Sequence, residues 1–210
     1  MDAQAKKQRE SLSREAWVKA ACRTLVERGI ENVKVLNLAE ALNVTRGSFY
    51  WHFESREDLL QELIDVWHRT NTSALIEAAN ARPASLGEWY VNLMRVWLDA
   101  TQFDVQLDIA MRDWARKDRA VFELAQSEDS VRVDRLKRAF EAYGCENERI
   151  AFTRARILYF QQMGYYMMGV QDPPELRAGY LSEYCSLLTG AQIDSGRVEP
   201  FIKELKGLIA

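Results

Sequence analysis

The sequence predicts an all-α protein, and three observations predict it. No window of its 210 residues sustains the period-two alternation of a half-buried strand, while apolar residues recur at helical spacing. Four prolines and ten glycines are too few for the many turns of an all-β chain. The breakers that are present fall between helical stretches.

The first helix starts after Ser11 and Ser13 and runs to about Arg28, with Trp17, Ala20, Ala21, Thr24 and Leu25 at helical spacing and Gly29 as its stop. A short helix covers about 35–42, and Asn43-Val44-Thr45 reads as a tight turn. A third short helix opens at Arg46 with Thr45 as its N-cap. Ser55 caps the next helix, with Asp58 at the capping-box position, and this helix extends to about Ala79, ahead of the breaker Arg82-Pro83. Further helical stretches cover roughly 86–100, 103–116, 119–142, 147–170, 174–189 and 198–208. The stretch 119–142 is expected to contain a break. Gly144 stops it, and Asp172-Pro173-Pro174 separates the two that follow. The expected organisation is a small N-terminal domain, residues 1–55, and a larger helical domain, residues 56–210.

Composition excludes several classes. Hydrophobic residues at 48% and charged residues at 28% are ordinary for a globular chain and rule out general disorder. No apolar run is long enough to span a bilayer, and the polar stretch Met1–Arg9 lacks the apolar centre of a signal peptide. Cys22, Cys145 and Cys185 are far apart and in no metal-ligand spacing, which suits a reducing compartment. A cytoplasmic protein without metal, cofactor or membrane partner is expected. Residues 1–55 carry nine Lys and Arg against seven Asp and Glu, a balance of +2, and the remainder carries −5, for a net −3. This permits a nucleic-acid-binding head on an acidic body.

Residues 35–53 read VLNLAEALNVTRGSFYWHF, a short helix, a turn and a second short helix: the helix-turn-helix unit. Ala39 suits the helix crossing, and Leu38, Leu42, Val44 and Phe49 suit a small core. Such a unit lays its second helix in the major groove. Phe53 and Trp17 also read as core. His52 reads either as a DNA-backbone neighbour or as an ordinary surface histidine. The arm Lys6-Lys7-Arg9 reads as a minor-groove arm or a solvated tail.

With these residues in view, 13–67 resembles the DNA-binding domain of the TetR family of bacterial transcriptional regulators. The resemblance is carried by Leu38-Ala39-Glu40-Ala41-Leu42, by Val44-Thr45-Arg46-Gly47-Ser48-Phe49-Tyr50-Trp51-His52-Phe53, and by Ser55-Arg56-Glu57-Asp58-Leu59. The stretch 44–53 is most like that of the family's multidrug-efflux repressors. The resemblance implies that Thr45 caps the recognition helix and touches phosphate, that Arg46 reaches bases or phosphate, and that Gly47 lets the backbone approach DNA. It further implies that Ser48 contacts a base or phosphate and Tyr50 a phosphate, that Trp51 and His52 lie along the backbone, and that Arg56 bonds phosphate. Two positions depart from the family. Lys34 stands where Thr usually caps the second helix; Lys offers no acceptor, so Asn32 or Asn37 would have to assist, although Lys34 itself can bind phosphate. Leu36 stands where a polar residue is common.

For the body, the resemblance implies a ligand pocket and a dimer interface. Aromatic and Met side chains with scattered polar groups suit an apolar or aromatic small-molecule effector. The candidates are Trp67, His68, Trp89, Met94, Trp97, Phe103, Gln106, Met111, Gln162, Met163 and Tyr166, with Asp108 and Arg112 as further polar anchors; helical core is the competing reading for the large apolar ones. Residues 157–170 are apolar nearly all round, and Tyr180, Leu181, Tyr184, Leu187, Leu188 and Ala191 form a second stripe. The resemblance makes these a homodimer interface through Tyr159, Gly164, Met168, Tyr180, Leu181, Tyr184, Leu187 and Leu188, with Gly164 and Gly169 allowing close approach; intramolecular core is again the alternative.

Catalysis finds little support. His52 and His68 stand outside any ligand cluster, Asp104, Asp108 and Asp113 read as solvated, and no P-loop, nucleophile elbow or dinucleotide fingerprint occurs. The expected function is a homodimeric, ligand-responsive repressor of a palindromic double-stranded DNA operator. The alternatives are a helical small-molecule-binding or interaction module with a vestigial helix-turn-helix, and a ligand-independent activator.

Overall fold

The computed structural model describes residues 12–190 together with Gly196, Pro200 and Lys203. The arm Lys6-Lys7-Arg9, Ser11, Ala191 and most of the helix expected over 198–208 lie outside the described residues. Every regular element among the described residues is helical: α1 Arg14–Arg28, a 3-10 turn Ile30–Asn32, α2 Val35–Ala41, α3 Arg46–Phe49, α4 Arg56–Trp67, a π-helical segment His68–Ser73, α5 Ala74–Asn80, α6 Leu86–Leu98, α7 Val105–Ala115, α8 Arg119–Ala142, α9 Glu148–Met167 and α10 Pro174–Thr189. No helix among them is long and apolar enough to cross a membrane.

The chain forms two compact units. The first holds residues up to Arg69 together with Gln106–Ala125, and the second holds Thr70–Val105 and the residues from Gln126 onward. In the first, Trp17, Leu25, Leu38, Phe49, Phe53, Leu59, Leu63 and Trp67 share one core with Leu107, Met111 and Trp114. Helix α4 is thus built into the first core by its stripe Leu59, Leu63 and Trp67. Ser13 caps α1 by accepting from the N–H of Ala16, and Ser55 caps α4 by accepting from that of Asp58. The Asp58 carboxylate reaches back to the N–H of Glu54.

Asp108 departs from the solvated role that its charged neighbours suggest. It is 2% exposed. Its carboxylate accepts from Trp67 Nε1 and from Arg112 Nε, both at 2.8 Å, which replaces the water it has lost.

On the surface of this unit, Glu62 accepts from Arg14 and from Arg69, and the Arg14 hydrogen bond, followed by that of Arg69, holds its carboxyl below the usual value of 4.5. A depressed carboxylate contributes stability above its unfolded pKa and loses it as pH falls through the folded one. The urea midpoint of wild type is therefore expected to fall below about pH 4.5 more steeply than that of Glu62→Gln. Parallel acid limbs for the two proteins would show that these pairs contribute nothing.

The second unit is centred on Trp89, Tyr90, Leu93, Trp97, Phe103, Leu136, Phe140, Leu158 and Tyr159. It also buries polar groups. Asn71 exchanges two hydrogen bonds with the backbone of Asp104, donating to its carbonyl and accepting from its N–H. Arg132, with no exposed surface, donates from Nε to Thr72 Oγ1 at 2.9 Å and from Nη1 to the Tyr159 hydroxyl at 3.1 Å. That hydroxyl donates to Asp129 Oδ1 at 2.6 Å. These bonds stand in for water that the buried guanidinium has lost.

Three helices differ from expectation. The stretch 119–142 is one unbroken helix, α8. It contains no Gly or Pro, the Ser130 hydroxyl bonds back to the Gln126 carbonyl, and i,i+4 pairs Arg119–Glu123 and Arg138–Asp134 support it. Helix α9 stops at Met167, not at 170. Gly169 takes φ 63°, and the N–H groups of Gly169 and Val170 return to the carbonyls of Tyr166 and Tyr165. That bonding makes Gly169 a helix stop. The long helix expected from Ser55 to Ala79 is interrupted at His68–Ser73 by the π-helical segment.

Candidate nucleic-acid interface

The helix-turn-helix forms as its residues dictate. After α2 the chain turns through Asn43, whose φ of 55° suits a short polar side chain. The Asn43 and Val44 N–H groups return to the carbonyls of Glu40 and Ala39, which closes the helix end and fixes the start of α3. Four residues are too few for an independent helix. Helix α3 is held by Phe49, fully buried, which meets Trp17 edge-on at 5.3 Å and stacks on Phe53 at 5.2 Å. Inward anchoring of Phe49 brings Ser48 in with it, so Ser48 is buried and off the exposed face expected for it.

The face left outside lies on either side of Ser48 and Phe49 in sequence. Thr45, Arg46 and Gly47 are exposed, Tyr50 is 56% exposed and Trp51 86%, while His52 is half-buried. Thr45 occupies the N-cap position in extended conformation, but its hydroxyl makes no capping bond. A Cβ on Gly47 would lie 3.6 Å from Thr45 Oγ1, an ordinary contact, so nothing inside the protein demands glycine there.

Lys34 sits exposed at the N-cap of α2 and makes no side-chain cap, as its chemistry requires. The asparagines tie the preceding loop without capping α2. Asn32 donates to the Arg28 carbonyl at 2.6 Å, and Asn37 donates to the Asn32 carbonyl at 3.0 Å. Arg56 holds the same loop. Its Nε donates to the Val33 carbonyl at 2.6 Å and its Nη2 to the Ile30 carbonyl at 3.2 Å. These bonds, invisible in the sequence, direct the guanidinium to the loop beside Lys34, where a phosphate had been expected as its partner. Leu36 is exposed in the same region.

The residues expected around an effector do not come together as one lining. Trp67 and Met111 belong to the first core, and Trp89, Met94, Trp97, Phe103 and Met163 to the second, with Tyr166 packed against it. His68 is exposed, and Gln106 lines a small cavity of about 120 Å³ with Asp113 and Lys117. Asp108 and Arg112 are spent on each other. Two expected ligand residues stand out nonetheless: Trp97 Nε1 and Gln162 Nε2 are buried donors with no acceptor among the described residues. A larger cleft of about 560 Å³ lies between α8 and α9, and of its lining only Phe160 belongs to the apolar stretch 157–170 that the sequence singled out.

Of the expected dimer residues, Tyr159, Leu181 and Leu188 are buried inside the second unit. Tyr159 is held there by its bonds to Asp129 and Arg132, and Leu181 and Leu188 lie on the inward side of α10. Met168, Tyr180, Tyr184 and Leu187 are exposed, Leu187 at 83%, and Gly164 is half-buried with nothing within 4 Å of a Cβ built on it.

Residues 18–63 match the family described as bacterial regulatory proteins, tetR family. The chain is similar to the HTH-type transcriptional regulator TtgR of Pseudomonas putida, 39% identical over 54 residues, which is 26% of either chain. It is also similar to the probable acrEF/envCD operon repressor of Escherichia coli (strain K12), 34% identical over 51 residues, 24% of this chain and 23% of that one. These matches span about a quarter of each relative's length. The crystal structure of a transcriptional regulator from Rhodococcus sp. Rha1 shares the fold, with a TM-score of 0.56 and 18% identity over 95% of this chain and 99% of the other. The N-terminal domain of this chain is thus similar to that of the TetR family of bacterial regulatory proteins.

Proposed function

We propose that the protein is a homodimeric, DNA-binding transcriptional repressor that releases its operator when a small molecule binds its second unit. The observation that carries the DNA-binding reading is the pairing, on a four-residue helix and its two flanks, of a fully buried Phe49 with exposed Thr45, Arg46, Gly47, Tyr50 and Trp51. A helix clamped from within and polar or aromatic on its open side suits insertion into a major groove. Arg46 supplies the guanidinium that reads guanine, and Tyr50 and Lys34 supply phosphate contacts. Arg56 acts through the loop it holds. Its role is to position Lys34. The resemblance of the head to relatives named as a transcriptional regulator and as a probable operon repressor supports repression as the sign of regulation.

Dimerisation is supported by the exposed Met168, Tyr180, Tyr184 and Leu187, an apolar set larger than scattered surface residues require. Two heads about 34–36 Å apart, or a multiple of that, then read the half-sites of a palindrome. Effector binding is supported by Trp97 Nε1 and Gln162 Nε2, since buried donors are as a rule bonded and an apolar ligand with an acceptor would satisfy them. The ligand releases DNA only by binding the two states differently, and about 1–3 kcal/mol of coupling is typical.

Fluorescence anisotropy on the DNA upstream of the protein's own gene, over a salt series, tests the reading. Saturable binding that exceeds a scrambled duplex and weakens steeply with salt is expected. Equal, weak binding to all fragments of the source genome would sink it and leave a helical module with a vestigial helix-turn-helix.

Gly47 gives a sharper check. Gly47→Ala meets no internal clash and gains about 1 kcal/mol of helix propensity, so its thermal midpoint is expected to match or exceed wild type. Its operator affinity is expected to fall about tenfold or more, because the added methyl meets DNA. Unchanged affinity would place position 47 outside the interface.

A further inference from the structure

The cleft between α8 and α9 is a second feature, separate from the buried donors of Trp97 and Gln162. Its α8 wall carries Gln126, Asp129, Ser130, Val133, Asp134 and Lys137, and its α9 wall carries Glu148, Arg149, Phe152, Arg156 and Phe160. At about 560 Å³ it is of the size that small-molecule sites have.

The lining carries three carboxylates, Asp129, Asp134 and Glu148, and three cations, Lys137, Arg149 and Arg156, so what matters is which of them already have partners. Asp134 accepts from Arg138, Glu148 is paired with Lys137, and Asp129 accepts from Tyr159. Its carboxylates are therefore engaged. Arg149 and Arg156 have no carboxylate partner among the described residues. They alternate with two half-exposed rings along one stripe of α9, at 149, 152, 156 and 160. The Arg156 guanidinium lies 4.8 Å from the centre of the Phe160 ring and 5.6 Å from that of Phe152. A guanidinium held over rings keeps its in-plane N–H groups for a carboxylate. Two rings beside two guanidiniums that make no ion pair among the described residues suit a flat, ring-bearing anion.

The floor of the cleft leads elsewhere in the second unit. Asp129 accepts from the Tyr159 hydroxyl, which accepts from Arg132, which donates to Thr72 in the π-helical segment. Phe160 also meets the Tyr159 ring edge-on at 5.4 Å. A molecule packed on Phe160 beside Asp129 therefore touches both arms of this chain of bonds. Thr72 stands three residues beyond Arg69, with which the N-terminal run of the first unit ends. π-helical segments of this kind are frequent at functional sites.

We propose that the α8–α9 cleft binds an aromatic carboxylate through Arg149, Arg156, Phe152 and Phe160, and that Tyr159 and Arg132 carry its occupancy to Thr72. The second half rests on the ligand-responsive reading given above; the first half does not.

Calorimetric titration of the full chain with 2-naphthoate tests the site, with 2-naphthamide as the neutral match. One naphthoate per chain is expected, bound about tenfold or more tightly than the amide, since a charge-assisted pair is lost in the latter. Arg156→Gln and Arg149→Gln are each expected to weaken naphthoate about tenfold while the far-ultraviolet circular dichroism is unchanged. Equal binding of acid and amide, indifference to both arginine variants, or no saturation up to about 5 mM would each overturn the site. Tyr159→Phe then tests the relay: naphthoate still binds, but its effect on DNA affinity disappears. If naphthoate changes DNA affinity equally in wild type and Tyr159→Phe, the relay is wrong. If wild type binds naphthoate but no DNA, the regulator reading fails and the site stands.

Discussion

Replacing Arg46 and Tyr50 together by alanine is expected to lower affinity for a specific duplex by roughly 10²–10⁴-fold and to leave folding intact. Both side chains lie on the open face of α3, and neither is part of the core that holds it. A bidentate arginine–guanine contact carries about 1–3 kcal/mol of discrimination, and a phosphate contact adds a comparable, salt-sensitive amount. The two losses have separable signatures. Arg46→Ala should relax sequence preference at one base pair of each half-site. Tyr50→Ala should weaken all duplexes alike. Anisotropy titrations of both single variants and the double variant, on specific and scrambled DNA, read this directly. A double variant with wild-type affinity would show that α3 does not enter the groove.

Phe49→Ala is expected to abolish DNA binding by a different route, through the fold of the head. The ring is fully buried between Trp17 and Phe53. Truncating a buried Phe costs about 3–5 kcal/mol, a large part of the 5–15 kcal/mol that holds a typical domain together. Helix α3 is too short to persist without this anchor. Chemical denaturation followed by circular dichroism should show a lowered midpoint, and Phe49→Leu should recover most of it. If Phe49→Ala kept the midpoint yet lost DNA binding, Phe49 would be a contact and not an anchor. The contrast with Arg46 and Tyr50 matters because the two sets interleave within five residues.

Much of the head was legible because local chemistry determines it. Ser13 and Ser55 cap the helices that follow them, Asn43 makes the turn, and Phe49, Phe53 and Trp17 are core. All of this is settled within a few residues of each position. What was not legible depends on pairs far apart in the chain. Arg56 is 23 residues from the Val33 carbonyl it bonds, and Asp108 is 41 from Trp67. The return of Gln106–Ala125 to the first core has the same origin. Helical periodicity distinguishes a buried stripe from an exposed one but not which neighbour covers it. For that reason the aromatic residues assigned together to one effector pocket fall in two separate cores. The dimer stripe suffered likewise: Tyr180 and Leu181 are adjacent, yet one is exposed and the other inside. The unbroken α8 could have been read from its lack of Gly and Pro.

The tryptophans provide an optical handle. Trp17, Trp67, Trp89, Trp97 and Trp114 are shut away from solvent, and Trp51 is 86% exposed. Aqueous quenchers such as iodide or acrylamide therefore reach one indole in six, and that one sits at the candidate interface. The long-wavelength, quenchable part of the emission belongs to Trp51 and the short-wavelength, protected part to the two cores. A single cuvette thus separates an event at the exposed end of the helix-turn-helix from a loosening of either interior, without a label on the protein.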